Sequence, residues 1–293
     1  MEPTLIAEIG GSSSRWAYLP ANGPEVLLPV KGDRMPGFNP VAGDAEGFIA
    51  GVRAQVVQHC PAAFGARRLF VYGAGCGAAD RQLRMQQVLA PLFPSAVVDV
   101  QSDLDGAALG LCGSGPGLVL ILGTGMNAGY FDGRTLHRPM PSLGYILGDE
   151  GSGADLGRAL LQDVFYRRMP EDAALALLGP DGLALERVIA EVYRSTAPSR
   201  ALAAYTGLLL PHRELPYVHG LVVSRFHALA DLLKTFFTLD QRAEVCATGS
   251  VAWGFKDWLT EVLLDHGMTL RTVERDPLPG LVSFHRQVPP PGL

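Results

Sequence analysis

Leu5-Ile6-Ala7-Glu8-Ile9-Gly10-Gly11-Ser12-Ser13-Ser14-Arg15-Trp16-Ala17-Tyr18-Leu19 decides how the chain is read. An apolar run interrupted only by Glu8 stops at two glycines and three serines, and a second run follows before Pro20. Short apolar runs bounded by Gly/Ser clusters predict strand, turn, strand. The device returns about 113 positions later, counted from Gly10 to Gly123: Leu118 to Leu122, Gly123-Thr124-Gly125, then Asn127 to Phe131. Each copy is followed by further strand and helix signals. The repetition predicts an α/β fold made of two related halves facing each other across a cleft.

After the first copy the spacing predicts a strand near Val26 to Val30 and a helix over Asp44 to His59 with Asp44 as N-cap. A strand over Arg68 to Tyr72, a helix over Arg81 to Leu89, a strand over Ala96 to Val100 and a helix over Asp103 to Leu111 follow. After the second copy, Asp132-Gly133 predicts a hairpin into Thr135 to Arg138. Gly151 to Arg168 reads as helix, and 182–239 as mostly helical with breaks near Pro198, Pro211 and Pro216. A strand over Glu244 to Thr248, a helix over Phe255 to His266 and a strand over Thr269 to Val273 precede a last helix over about 279–286. Pro289-Pro290-Pro291 cannot continue it. The expected domains are 1–113 and 114–293, the last helix packing back on the first.

Composition narrows the function classes. The chain has 293 residues, 48% hydrophobic and 18% charged, with a formal net charge of −5, which argues against a nucleic-acid binder held by a broad basic face. Cys60, Cys76, Cys112 and Cys246 form no C-x-x-C pair and read as reduced, mostly buried thiols. The longest apolar run, Gly117 to Leu122, is strand length and far short of the ~20 residues of a membrane span. Glu2 and Pro3 stand where a signal peptide carries positive charge, so the expected location is cytoplasmic, without membrane or nucleic-acid partners. The seven histidines show no metal-site spacing, and no G-x-S-x-G elbow is present.

The candidate site residues lie at the turns. Gly10, Gly11, Ser12 and Ser13 offer exposed N–H groups and hydroxyls to a phosphate, and Glu8 could hold Mg²⁺, directly or through water. Gly123, Thr124, Gly125 and Asn127 repeat the arrangement; two such loops can clamp a polyphosphate, although neither is a P-loop sequence. Each loop taken singly is also what an ordinary Gly/Ser turn looks like. Asp103, between a strand and a helix, suits a general base or an N-cap, with Asp105 the poorer base. Gly144 to Gly153 places Asp149 and Ser152 just before a helix, where the first can accept and the second donate hydrogen bonds to sugar hydroxyls. Asn39-Pro40 has the form of a turn, and Gly249-Ser250 of a strand–helix joint on which an adenine or ribose can lie.

The order of these motifs resembles the sugar kinase/heat-shock ATPase/actin superfamily: Leu5 to Trp16 is similar to its first phosphate loop, Ile121 to Asn127 to its second, and Ala247 to Ala252 to its adenosine motif. More narrowly, Phe38-Asn39-Pro40, Tyr72 to Cys76, Ser102-Asp103-Leu104, Gly144 to Gly153 and Gly280-Leu281-Val282 resemble the N-acetylglucosamine kinase branch of the BadF/BadG/BcrA/BcrD-type ATPases. The resemblance covers essentially the whole chain, and Leu147 to Ser152 is its most specific part. It implies a duplicated ribonuclease-H-like (actin-like ATPase) fold, two domains around a central cleft, and transfer of the γ-phosphoryl group of ATP, with Mg²⁺, to the 6-hydroxyl of an amino sugar. It also implies a homodimer. Asp103 corresponds to the catalytic base, Asn39 and Asp149 to sugar-binding residues, Gly10 to Ser13 and Gly123 to Asn127 to the phosphate loops, and Gly249-Ser250 to the adenosine loop.

Three positions depart from that pattern. The family has Asp where Glu8 stands, Thr-Lys where Ser12-Ser13 stand, and Ser where Met126 stands. Lys31 and Arg34 are candidates to replace the missing charge. The alternative expectation is therefore a catalytically weakened sugar- or nucleotide-binding protein of the same fold. An iron–sulfur-dependent activator ATPase, which the wider family contains, lacks a cysteine pair here.

Overall fold

β1 (Thr4–Ile9) reads as a near-continuous apolar run because both of its faces are covered. Leu5, Ala7 and Ile9 pack on one side with Trp16, Phe48 and Met85, and Ile6 packs on the other with Ala17, Leu19 and Tyr72. That division follows the two-residue period of a strand. The computed structural model describes residues 2–41 and 43–287, so the Pro289-Pro290-Pro291 tail lies outside the described residues. The chain divides into two compact units, one made of the residues up to Gly113 and those from Pro277 onward, the other of Ser114–Asp276.

In the first unit β1 is joined by β2 (Ser14–Leu19), β3 (Val26–Leu28), β4 (Arg68–Gly73) and β5 (Val97–Ser102) in the order β3-β2-β1-β4-β5. The hairpin strands β1, β2 and β3 are antiparallel; β1, β4 and β5 are parallel. α1 (Ala45–His59) starts at Asp44, whose Oδ1 accepts the Gly47 N–H at 3.0 Å. It buries Phe48, Val52 and Val56 at helical spacing. α2 (Ala79–Leu89) connects β4 to β5, and α3 (Asp103–Cys112) follows β5.

The second unit repeats this plan. β6 (Gly117–Leu122), β7 (Met126–Phe131), β8 (Leu136–His137), β9 (Glu244–Thr248) and β10 (Thr269–Glu274) form a sheet of order β10-β9-β6-β7-β8. Its pairings carry the same senses as their counterparts in the first unit. Where the first unit has only α1 and a short 3₁₀ turn between its third and fourth strands, the second has α4 (Gly144–Leu147), α5 (Gly153–Phe165), α6 (Glu171–Leu178), α7 (Leu185–Tyr193), α8 (Pro198–Ala204), α9 (Pro216–Phe236) and α10 (Leu239–Arg242). α11 (Ser250–Gly254) and α12 (Lys256–Asp265) link β9 to β10. Pro198 and Pro216 each open a helix and Pro211 sits in the first turn of a 3₁₀ segment, positions where the missing N–H costs nothing. α4 and α6 lie where the sequence reading expects no helix.

α13 (Leu278–Gln287) belongs to the first unit. Leu278, Leu281 and Val282 cover the Ile6/Tyr72 face of its sheet. The His285 ring stacks on Phe70 at 4.1 Å, its Nε2 is 2.8 Å from the Tyr72 hydroxyl, and burial holds its pKa down at about 4, so it is neutral at pH 7. A Cβ on Gly280 would lie 1.8 Å from the Gly110 carbonyl oxygen, so α3 and α13 meet backbone to backbone. Gly280→Ala is expected to destabilise the first unit by about 1–3 kcal/mol, as overpacking does. An unchanged urea midpoint would contradict that contact.

Candidate active site

Parallel strands bring the first-unit candidates to one level. Ile9 pairs with Gly73, and Gly73 with Ser102. The Gly10–Ser13 loop, the turn after Gly73 and Asp103 therefore leave the sheet side by side, outside the carboxyl ends of its strands, where open α/β sheets bind ligands. The Gly10 N–H donates to the Ser13 carbonyl at 2.9 Å, and the Phe38 N–H to the Gly10 carbonyl at 3.0 Å. Gly37 lies against this loop so closely that a Cβ would sit 2.2 Å from the Gly10 oxygen. The N–H groups of Gly11, Ser12 and Ser13 have no backbone acceptor among the described residues.

Asn39 sits beside the turn after β4. Its Oδ1 accepts the Val41 N–H at 2.9 Å, and a Cβ on Gly75, whose φ is +77°, would come within 2.7 Å of that oxygen. The Ala74 N–H ties the turn to the Ile9 carbonyl at 2.8 Å. Asp103 occupies the first turn of α3 but does not cap it. Ser102 is the cap, its Oγ accepting the Asp105 N–H while Asp105 Oδ2 accepts the Ser102 N–H, each at 3.2 Å. Asp103 Oδ1 accepts the Leu104 N–H at 2.9 Å. Burial first, then the Asp103 charge, push the neighbouring Cys76 thiol up to about 12, against the opposing effect of Arg81.

Glu8 stands opposite Arg15 in β2 and level with Tyr72 in β4. The register thus places a guanidinium-bearing residue across from Glu8, a cross-strand neighbour that the sequence reading does not consider. Lys31 and Arg34, the expected replacements for the missing lysine, are exposed in the segment after β3. Among the described residues no three His, Cys, Asp or Glu side chains gather as a metal cage.

In the second unit Ile121 of β6 pairs with Thr248 of β9, so the Gly123–Gly125 loop and Gly249-Ser250 also leave their sheet together. The Gly123 N–H donates to the Gly125 carbonyl at 3.0 Å. The Gly123 and Thr124 carbonyls accept the Gly153 and Ala154 N–H groups at 2.8 and 3.0 Å, docking the loop on the first turn of α5. Gly249, at φ +111°, packs so tightly that a Cβ would lie 2.3 Å from the Leu122 oxygen. Asn127 is half-buried in β7, level with Ile121.

Asp149 reaches this loop from the glycine-rich turn. Its φ of +65° is left-handed, uncommon for a residue with a side chain. Its carboxylate accepts the Met126 N–H, and a Cβ on Gly125 would be 2.9 Å from Oδ2. Burial raises the Asp149 pKa above its ordinary 3.8, outweighing that hydrogen bond, and the Glu150 and Asp155 charges push the same way. Ser152, expected to donate to a sugar hydroxyl, is fully buried as the cap of α5. Its Oγ accepts the Asp155 N–H at 3.3 Å, and its own N–H donates to the Asp149 carbonyl at 3.0 Å.

Asp155 holds this turn in place and is absent from the sequence-based candidates. It is 2% exposed. Its Oδ2 accepts the Gly151 N–H at 2.9 Å and Arg225 Nε at 2.7 Å. Its Oδ1 accepts Arg158 Nη2 at 2.7 Å and Arg225 Nη2 at 3.1 Å. The Ser152-x-x-Asp155 spacing of a capping pattern was a usable signal; Arg225, far along the chain, gave none.

The duplicated sheets and glycine loops define a member of the actin-like ATPase fold shared by sugar kinases. No protein-family model and no curated protein sequence matches the chain. Among solved structures, it is similar to a “putative N-acetylglucosamine kinase” from Porphyromonas gingivalis at 31% identity, covering 97% of this chain and 99% of that one with a TM-score of 0.83. A protein of the same designation from Chromobacterium violaceum is 19% identical, with 97% and 99% covered and a TM-score of 0.67. A ROK family glucokinase from Streptomyces griseus, solved with glucose and AMPPNP, is 16% identical, with 98% and 100% covered and a TM-score of 0.54. The last two show the fold alone. On the first likeness, the chain belongs to the N-acetylglucosamine kinase-like family. No helix among the described residues is long and apolar enough to cross a membrane.

Proposed function

We propose that the chain is an ATP-dependent kinase that phosphorylates the 6-hydroxyl of an amino sugar, N-acetylglucosamine. The observation that carries this reading is the row formed at one sheet end by the Gly10–Ser13 loop, the turn beside Asn39, and Asp103. Asn39 and Asp149 bind sugar hydroxyls. The amides of Gly11 to Ser13, with Thr124, Gly125 and Asn127, bind the phosphates of ATP, and Gly249-Ser250 its adenosine. Asp103 takes the proton of the 6-hydroxyl as its oxygen bonds to the γ-phosphorus; the bond from that phosphorus to the β–γ bridging oxygen breaks and ADP leaves. Such transfer depends chiefly on positioning and charge stabilisation.

Mg²⁺ fits a single-carboxylate mode, because it keeps several waters and takes one or two carboxylates along with substrate phosphates. Glu8 would hold it through water, and the ion would neutralise charge on the transferring phosphoryl group.

The test is ADP release with Mg²⁺-ATP against N-acetylglucosamine, glucosamine, N-acetylmuramic acid and glucose. Turnover with an amino sugar is expected; ATP turnover indifferent to every sugar would refute the proposal. The second reading, a binding protein with weakened chemistry, is favoured by Met126, whose side chain is buried and whose N–H is taken by Asp149. It predicts sugar binding without ADP release.

Asp149 also gives a pH prediction. Its folded pKa is raised, so ionising it costs stability as pH rises through that pKa, and the cost is absent in acid. Asp149→Asn is expected to fold at least as stably as the parent at pH 7 while binding sugar at least tenfold more weakly. Parent binding is expected to fall on acidification at a pH above 3.8, the ordinary Asp value. Calorimetry across pH, with thermal melts of both proteins, checks this; equal sugar affinity in the variant would remove Asp149 from the site.

A further inference from the structure

Beside Asp149 the second unit has a partly open cavity of about 80 Å³ walled mainly by Met126, Met140, Pro141, Leu143 and Phe236. Apart from Ser142, Asp149 and the neighbours Gly148 and Glu150, that wall is apolar. Leu143 of this wall is 55% exposed, and Ile146 and Leu147 in the adjoining α4 are 68% and 74% exposed. Exposed apolar surface next to a polar ligand residue marks a site for a ligand with an apolar part. A hexose bearing only hydroxyls has no group to place there. The acyl group of a 2-acylamino sugar has one: a methyl group or alkyl chain, carried next to ring hydroxyls of the kind assigned to Asp149.

One water needs about 10–15 Å³ of such space, so the cavity holds several heavy atoms, whereas an acetyl group puts a single methyl into it. Met126 acquires a reason for its place: as part of this wall it supplies apolar surface that a serine would not. We infer that the cavity receives the N-acyl arm of the acceptor sugar and admits acyl groups longer than acetyl, with Met126, Met140 and Leu143 setting that preference. This rests on the kinase reading above for the identity of the ligand, and goes beyond it in the substrate class.

The experiment compares kcat/KM for glucose, glucosamine and N-acetyl-, N-propionyl- and N-butyrylglucosamine, with calorimetric affinities for the same series. Burying a methylene is worth about 0.8 kcal/mol, so about a fourfold gain per added carbon is expected from acetyl to butyryl. Leu143→Asp, at a half-exposed position, is expected to abolish the gains along the acyl series. A fall from acetyl to propionyl, glucose performing as well as N-acetylglucosamine, or chain-length gains that survive Leu143→Asp would each overturn the inference while leaving the kinase standing. If no sugar yields ADP, the affinities decide alone: gains along the series sustain the cavity assignment although the kinase reading fails, and equal or falling affinities overturn it.

Discussion

Asp103→Asn is expected to lower kcat by about 10²–10⁴-fold, the usual contribution of a positioned general base, with sugar affinity changed little. The expectation follows from where the carboxylate stands. The hydroxyl of Ser102 has taken over the capping of α3, helped by Asp105, so Asp103 is not required as the cap. Loss of one negative charge beside Cys76 should also lower that thiol's pKa, because Asp103 is one of the influences raising it. Single-turnover phosphate transfer, sugar calorimetry and a thermal melt together check the assignment. Near-normal transfer in a folded variant would take the base role from Asp103.

Asp155→Ala carries the largest expected effect on stability. It removes the carboxylate from two arginines, leaving Arg158 only the Tyr145 carbonyl, and leaves the Gly151 N–H without its acceptor, all around a carboxylate that is 2% exposed. Breaking a buried ion pair from one side costs about 3–5 kcal/mol; Arg158 and Arg225 keep 34% and 31% of their side chains exposed, so the low end is expected, roughly 6–12 °C in Tm for a unit of this size. Sugar binding should fall with it, because the left-handed turn at Asp149 is held by the Ser152 and Gly151 contacts that Asp155 supports. Asp155→Asn keeps the shape and part of the hydrogen bonding, and its Tm should fall between parent and Ala. A melt of Asp155→Ala within about 1 °C of the parent would show the cluster to be dispensable.

The repeated strand–turn–strand was legible because hairpin strands of buried sheets leave a simple trace: short apolar runs stopped by glycines. The row of loops at the strand ends was legible for the same reason, since a strand's end fixes where the next residue emerges. What escaped the sequence was tertiary. Arg225 meets Asp155 only after α5 and α9 have folded, and nothing local to either announces the pair. Ser152 reads as a polar group at a site, yet it is fully buried and its oxygen accepts the Asp155 N–H as the cap of α5. The left-handed backbone of Asp149 is also invisible, because its neighbours, not its own preference, impose it. α6 begins at Glu171-Asp172 and runs through alanines and leucines without a clear apolar stripe, so periodicity had little to detect.

The placement of α13 has a consequence for how the protein is made. The first unit's sheet is complete in sequence by Ser102, but the face bearing Ile6, Leu19 and Tyr72 waits for Leu278, Leu281 and Val282. Those three residues are synthesised only after the whole of Ser114–Asp276. The beginning of the chain therefore cannot complete its core until nearly all of the chain has been made. Until α13 docks, the first unit presents bare hydrophobic surface, the kind of species on which chaperones act.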